Sequence, residues 1–287
     1  MVASGTFGNV KEAADLVDLN RLGAIVPKTV TRSPRAGNAA PRTVETTAGL
    51  LNAIGLDNDG LDAYIEQKIP YFRTLNCPTV VSFAGVNQDD YVSLAQSLEE
   101  AGQDGGVDAL EMNISCPNVA HGTDFGKDPR QCFDLVRAVR KACSLPLLVK
   151  LTPNVSDITV IAKAAEDGGA DAVCLINTVL GMAIDWRKRQ PRLGNRMGGL
   201  SGPAVKPIAL RMVYQTAQTV TIPIVGIGGI ETIDDAMEFF VAGASAIQIG
   251  TANFYRPRAT IEILDAIPCA LDQLNAQSVS EIVGTLR

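Results

Sequence analysis

The run Asn113-Ile114-Ser115-Cys116-Pro117-Asn118 sets a thiol among amides and a hydroxyl. A cysteine works as base or nucleophile only as the thiolate, and nearby lysines or backbone N–H donors bring its pKa into range. Pro117 fixes the backbone behind it and helps to turn the chain. Lys150 interrupts the apolar run P-L-L-V-K-L-T (146–152). A lysine in such a run must meet an anion, either a bound group or a carboxylate in a structural ion pair. The lone histidine, His121, reads as solvent-exposed rather than as a partner of Cys116.

A phosphate signal lies near the end of the chain. G-I-G-G-I-E (226–231) and I-G-T-A (249–252) expose backbone N–H groups, which suit an anion; the same glycines could serve only tight turns. No G-x-G-x-x-G stands at a strand-to-helix turn, so a mononucleotide phosphate is expected rather than a nicotinamide dinucleotide site.

These residues need elements to position them, and one pattern recurs: a helix-like stretch, a Gly, then a short apolar run. It appears at 22–28, 106–113, 169–177 and 243–250, with the Gly expected as a left-handed helix cap. Further apolar runs at 79–85, 146–152 and 223–229, with Val2 to Ser4 at the start, make eight expected strands. Helical stretches at 130–142, 156–168, 206–220 and 232–242 lie between them. Such alternation implies parallel pairing with right-handed crossovers, and eight units favour a closed (β/α)8 barrel, an α/β TIM fold with its active site at the C-terminal face. Without a Pro/Gly/Ser linker, residues 1–287 read as one domain. Residues 30–60 and 179–203 are expected as long polar loops at that face. The expected strand ends present Ser4, Lys28, Ser82, Asn113, Ser115, Lys150, Asn177 and Thr178 there.

Composition narrows the class. A chain of 287 residues that is 46% hydrophobic and 20% charged can build a large core. A net charge of −6 speaks against a nucleic-acid-binding face. No apolar run approaches the roughly 20 residues that span a bilayer. The other five cysteines, Cys77, Cys132, Cys143, Cys174 and Cys269, form no C-x-x-C pair and read as buried, inert thiols of a cytoplasmic protein.

Taken in order, the motifs resemble dihydroorotate dehydrogenase, specifically the class 1B catalytic subunit. The likeness runs through A-S-G-T-F-G (3–8), K-T-V-T (28–31), G-L-L-N-A-I-G-L (49–56) and N-I-S-C-P-N. It continues through V-K-L-T-P-N (149–154), I-N-T (176–178), G-G-L-S-G-P-A-V-K-P (198–207), G-I-G-G-I-E and I-G-T-A. The resemblance implies FMN as cofactor and oxidation of (S)-dihydroorotate to orotate in pyrimidine biosynthesis. It makes Cys116 the base that takes the C5 proton as the C6 hydride passes to the flavin. It assigns FMN to Ser4, Lys28, Thr29, Asn113, Lys150, Ile176 and Gly202, with the phosphate on Gly228, Gly229, Gly250 and Thr251. It assigns substrate to Lys28, Asn52, Ala53, Ile54, Gly55, Leu56, Asn113, Asn118, Asn177 and Thr178. Asn side chains offer both donor and acceptor to a ring edge, and Lys28 matches a carboxylate. Ser82 stands where the family usually has an FMN-contacting Asn.

The class also implies a partner subunit carrying FAD and an iron–sulfur cluster, which passes electrons to NAD+, around a homodimeric core of a heterotetramer. No metal site, nucleic acid or membrane is implied for this chain, and the family's N-terminal segment is expected to be missing. The alternatives are the fumarate-linked class 1A, a dihydropyrimidine dehydrogenase-like FMN barrel, and a flavin-binding barrel without catalysis.

Overall fold

The computed structural model describes residues 1–115 and 125–287, so Cys116, Asn118 and His121 lie outside the described residues. The chain first forms a hairpin of β1 (Thr43–Thr46) and β2 (Gly49–Asn52). Four strands of a parallel sheet follow: β3 (Val80–Phe83), β4 (Ala109–Asn113), β5 (Leu147–Lys150) and β6 (Ala172–Leu175). Next come β7 (Val179–Met182), the two-residue pair β8 (Ile184–Asp185) and β9 (Gln190–Pro191), and β10 (Met197–Ser201). The parallel sheet resumes with β11 (Ile224–Ile227) and β12 (Ala246–Gln248).

The six parallel strands lie in the order β12-β11-β6-β5-β4-β3, so each neighbours its predecessor in the alternation. Each edge is extended by a further segment through single parallel bridges: Val2 to Ile249 on one side, and Ile25 to Thr79 and Val30 to Phe83 on the other. The first and second expected strands are thus bridges rather than ladders. Pro27 has no N–H to give to a ladder, and the chain leaves the Val2 segment almost at once through a left-handed Gly5.

The helices between the strands start where their sequences supply caps. Asn87 accepts from the Asp90 N–H ahead of Gln88–Ala101, and Asp128 from the Gln131 N–H ahead of Pro129–Ala142. Asp157 does the same for Ile158–Gly168, and Thr232 forms a reciprocal capping box with Asp235 for Ile233–Ala242. Gly169 and Gly243 close helices with φ of 100° and 122°. Gly106 is left-handed too, but Gly23 is not, because the chain is already extended at Leu22.

Alternation along the strands creates two cores. Val81, Phe83, Leu110, Met112, Val149 and Val173 face the helices and pack with Leu94, Leu98, Leu135, Val139, Ile161 and Phe239. Burying side chains of this size stabilises by ~1.5–3 kcal/mol each. On the opposite face Ala24, Val26, Val80 and Ala109 form one small cluster, and Ala3, Cys174, Val225 and Ile227 another. Met1 and Leu148 pack against both clusters. Apolar burial on both faces, with helices on one, is consistent with a TIM-type barrel.

Residues 43–52 and 179–201 are not the loops expected. They form a four-stranded antiparallel sheet in the order β1-β2-β10-β7. The alternation in Thr43-Val44-Glu45-Thr46, with only Val44 buried, marks a half-solvated strand too short to stand out among the flanking Pro and Gly.

Candidate functional site

A cavity of about 720 Å³ opens where the parallel strands end. Ligand pockets run from about 300 to 1,000 Å³. Asn113 ends β4 and Lys150 ends β5, while Ile176, Asn177 and Thr178 follow β6, Gly228 and Gly229 follow β11, and Gly250 and Thr251 follow β12; all of them line the cavity. Ser4, Lys28 and Thr29 close one side. The antiparallel sheet forms a roof: Asn52 ends β2, Ala53 to Leu56 run on from it, and Gly202 follows β10. Every described residue that the resemblance assigns to FMN or substrate therefore lines one cavity, and Cys116 and Asn118 fall outside the described residues.

Register explains the polar floor. Asn113 pairs with Lys150, and Lys150 with Cys174, so these side chains are neighbours on the inner face. Lys150 Nζ lies 3.5 Å from Glu111 Oε1, and Gln248 donates from Nε2 to Glu111 Oε2 at 2.8 Å. Glu111 and Gln248 are fully buried and Lys150 nearly so. Both meanings of Lys150 hold together: it is ion-paired beneath the cavity and also lines it. Burial and then the Glu111 charge push the neighbouring Cys174 thiol well up, leaving it inert.

The rim is a hydrogen-bonded set of small side chains. Ser115 donates to Asn113 Oδ1 at 2.7 Å, and Asn177 donates from Nδ2 to Ser115 Oγ at 2.5 Å. The Thr178 N–H donates to Asn177 Oδ1, and Tyr91 holds the Asn113 carbonyl. On the other side Ser4 donates to the Pro27 carbonyl and lies 3.1 Å from the Thr29 hydroxyl. Ser82 meets Thr29 at 2.9 Å, but it is sealed behind Thr29 and does not line the cavity.

At the far end the chain supplies backbone N–H groups that could hold an anion. Gly228 and Gly229 have φ of 130° and 74°. Among the described residues, none accepts a hydrogen bond from the N–H groups of Gly228, Gly229, Gly250 or Thr251. Such a group of orphan donors fits a phosphate. The Thr251 hydroxyl donates to Ser201 at 2.8 Å, tying this end to the roof. Behind it Lys206 pairs with Asp235 at 2.6 Å. That carboxyl lies below its usual range, because Lys206 and the Glu231 and Thr232 N–H groups outweigh its burial.

A flat, largely apolar ring with a phosphate tail fits this set: free amides at one end, Lys150 at the floor, and Asn113 and Ile176 between them. Sequence reasoning missed Glu111 and Gln248, although both stand out as polar residues at the inward positions of apolar strands. Ser115 was visible at a strand end but had no role. Of the five cysteines expected to be buried, Cys269 is exposed, on the helix Ala259–Gln273. Among the described residues, no group of acidic, His or Cys side chains could hold a metal, and no helix is long and apolar enough to cross a membrane.

Residues 1–271 match the family model described as dihydroorotate dehydrogenase. The whole chain is 52% identical to a protein of Alkaliphilus metalliredigens (strain QYMF) named dihydroorotate dehydrogenase B (NAD(+)), catalytic subunit, and covers 94% of it. Proteins of the same name from Alkaliphilus oremlandii (strain OhILAs) and Geotalea uraniireducens (strain Rf4) are each 50% identical over the full chain, which covers 94% and 93% of them.

Proposed function

Because the chain belongs to the dihydroorotate dehydrogenase family, we propose that it oxidises (S)-dihydroorotate to orotate in pyrimidine biosynthesis, as the catalytic subunit of an NAD+-linked enzyme. One observation carries this reading: orphan amide donors, a buried ion-paired lysine and a rim of asparagines all face a single cavity.

The residues present fit FMN. Gly228, Gly229, Gly250 and Thr251 would hold its phosphate, and Ser4, Lys28, Thr29, Asn113, Lys150, Ile176 and Gly202 its ring and tail. When bound, FMN supplies an acceptor for the hydride that leaves C6 of the substrate. Cys116 takes the C5 proton, so that the electron pair of that C–H bond becomes the new C5=C6 bond. Lys28 meets the substrate carboxylate. Asn113, Asn118, Asn177 and Thr178 hold the ring edges, with Asn52 to Leu56 over the top.

The fold reading extends to one domain whose eight strands close into a barrel, its active site at the C-terminal face. Electrons leave through a partner subunit carrying FAD and an iron–sulfur cluster, around a homodimeric core in the cytoplasm. The test is anaerobic: dihydroorotate should bleach the FMN-loaded chain, and dihydrouracil should not. A folded, FMN-loaded protein that dihydroorotate leaves yellow would overturn the reading.

A further inference from the structure

Two backbone N–H groups decide which way the amides at the cavity rim point. The Thr178 N–H donates to Asn177 Oδ1 at 2.8 Å, and a backbone N–H can only donate, so the oxygen of that amide is fixed there. Asn177 Nδ2 must then be the donor to Ser115 Oγ. The Ser115 N–H likewise donates to Asn113 Oδ1, at 3.3 Å, which fixes the second amide. A hydroxyl has one proton, and Ser115 uses it on that same Asn113 oxygen, at 2.7 Å. Its lone pair takes Asn177.

We infer that Ser115 is a positioning residue for the substrate: its hydroxyl couples Asn113 and Asn177 into one rigid face that aims the N–H donors of both amides at the cavity. Asn113 Oδ1 takes both Ser115 donors and is filled, while Asn177 Oδ1 takes the Thr178 N–H and keeps one lone pair; the N–H groups left over are those of Asn113 Nδ2 and the second of Asn177. A face of this kind favours oxygens, meaning a ring carbonyl or a carboxylate. Asparagine alone would allow either edge of the ring; the Ser115 link removes that choice at Asn113, whose oxygen is filled. Ser115 and Asn113 are each only 8% exposed, so an amide that turned over would strand a donor or acceptor away from water.

The inference rests on the dihydroorotate reading, and one experiment separates the two. Orotate binding is titrated by flavin absorbance in FMN-loaded wild type, Ser115→Ala and Ser115→Thr, alongside steady-state turnover of dihydroorotate. Flavin absorbance and thermal melting report that each variant is folded and loaded. Ser115→Ala should weaken orotate about tenfold, equivalent to about 1.4 kcal/mol, and raise KM for dihydroorotate in step, with a smaller fall in kcat. Ser115→Thr, which keeps the hydroxyl, should recover most of the affinity. Orotate affinity within twofold of wild type in Ser115→Ala overturns the role of Ser115 and leaves the activity standing. An FMN-loaded wild type that binds no orotate overturns both. If Ser115→Ala fails to load, the comparison moves to Ser115→Thr against Ser115→Cys, whose weaker S–H donor should bind orotate less well; equal affinities overturn the inference.

Discussion

Lys150 and Glu111 lie on adjacent strands with Nζ and Oε1 3.5 Å apart, their side chains 8% and 0% exposed. The lysine reaches the cavity from below, and the carboxylate beneath it is held from its other side by Gln248. Two charges that would each be costly to bury alone neutralise one another, and the positive end is the one presented to a ligand.

Removing the carboxylate should therefore be expensive. Glu111→Leu leaves Lys150 buried without its partner, at a cost of about 3–5 kcal/mol, measured by urea unfolding of the loaded protein. A loss below about 1 kcal/mol contradicts the pairing.

The free amides at the cavity end predict where FMN is held. A Cβ at Gly229 would lie 2.8 Å from the Gly202 carbonyl, on a backbone with φ of +74°. Gly229→Ala should displace the loop and weaken FMN at least about tenfold, since each lost charge-assisted hydrogen bond is worth ~1.5–3 kcal/mol. Flavin content after gel filtration reads this directly. Full retention would place the phosphate elsewhere.

Much of this was legible in the sequence, for identifiable reasons. The six parallel strands follow from apolar runs buried on both faces, and the helices Pro129–Ala142, Ile158–Gly168, Lys206–Ala217 and Ile233–Ala242 from the amphipathic stretches between them. The glycines at 228–229 and 250 stood out because strand ends that lack side chains expose N–H groups. The antiparallel roof was not legible: its strands are four or five residues long, half-solvated, and paired across 147 positions, as Asn52 is with Gly199. Glu111 and Gln248 were missed because each makes sense only once the other strand is beside it.

Gly199 shows how tightly the roof sits on the site. A Cβ there would lie 1.9 Å from Thr178 Oγ1. Gly199→Ala should push Thr178 out of place and raise KM for dihydroorotate while FMN content stays at the wild-type level. An unchanged KM would mean that Thr178 does not position substrate.

Away from the site, Glu166 accepts from Lys163, from the Thr221 hydroxyl and N–H, and from the Ile222 N–H. Burial works to raise its pKa, but these four donors hold it at about 2, below the 4.5 of a free glutamate. A carboxylate depressed on folding stabilises above its unfolded pKa and loses that contribution as pH falls through the folded one. Glu166→Gln should thus melt below wild type at pH 7, with the gap closing between about pH 4.5 and 2. A gap that persists unchanged at pH 2 would assign it to packing instead.

Electron flow gives a prediction at the level of the assembly. The FMN-loaded chain alone should be reduced by dihydroorotate yet leave NAD+ untouched until an electron-transfer subunit is added. NADH formation by the chain alone, followed at 340 nm, would remove the need for that partner.

The most direct test is the anaerobic reaction of dihydroorotate with FMN-loaded wild type and Cys116→Ala, followed by stopped-flow flavin absorbance. The base assigned to Cys116 predicts normal flavin binding and a rate of bleaching lower by about 10²- to 10⁴-fold. Bleaching of Cys116→Ala at the wild-type rate would contradict it.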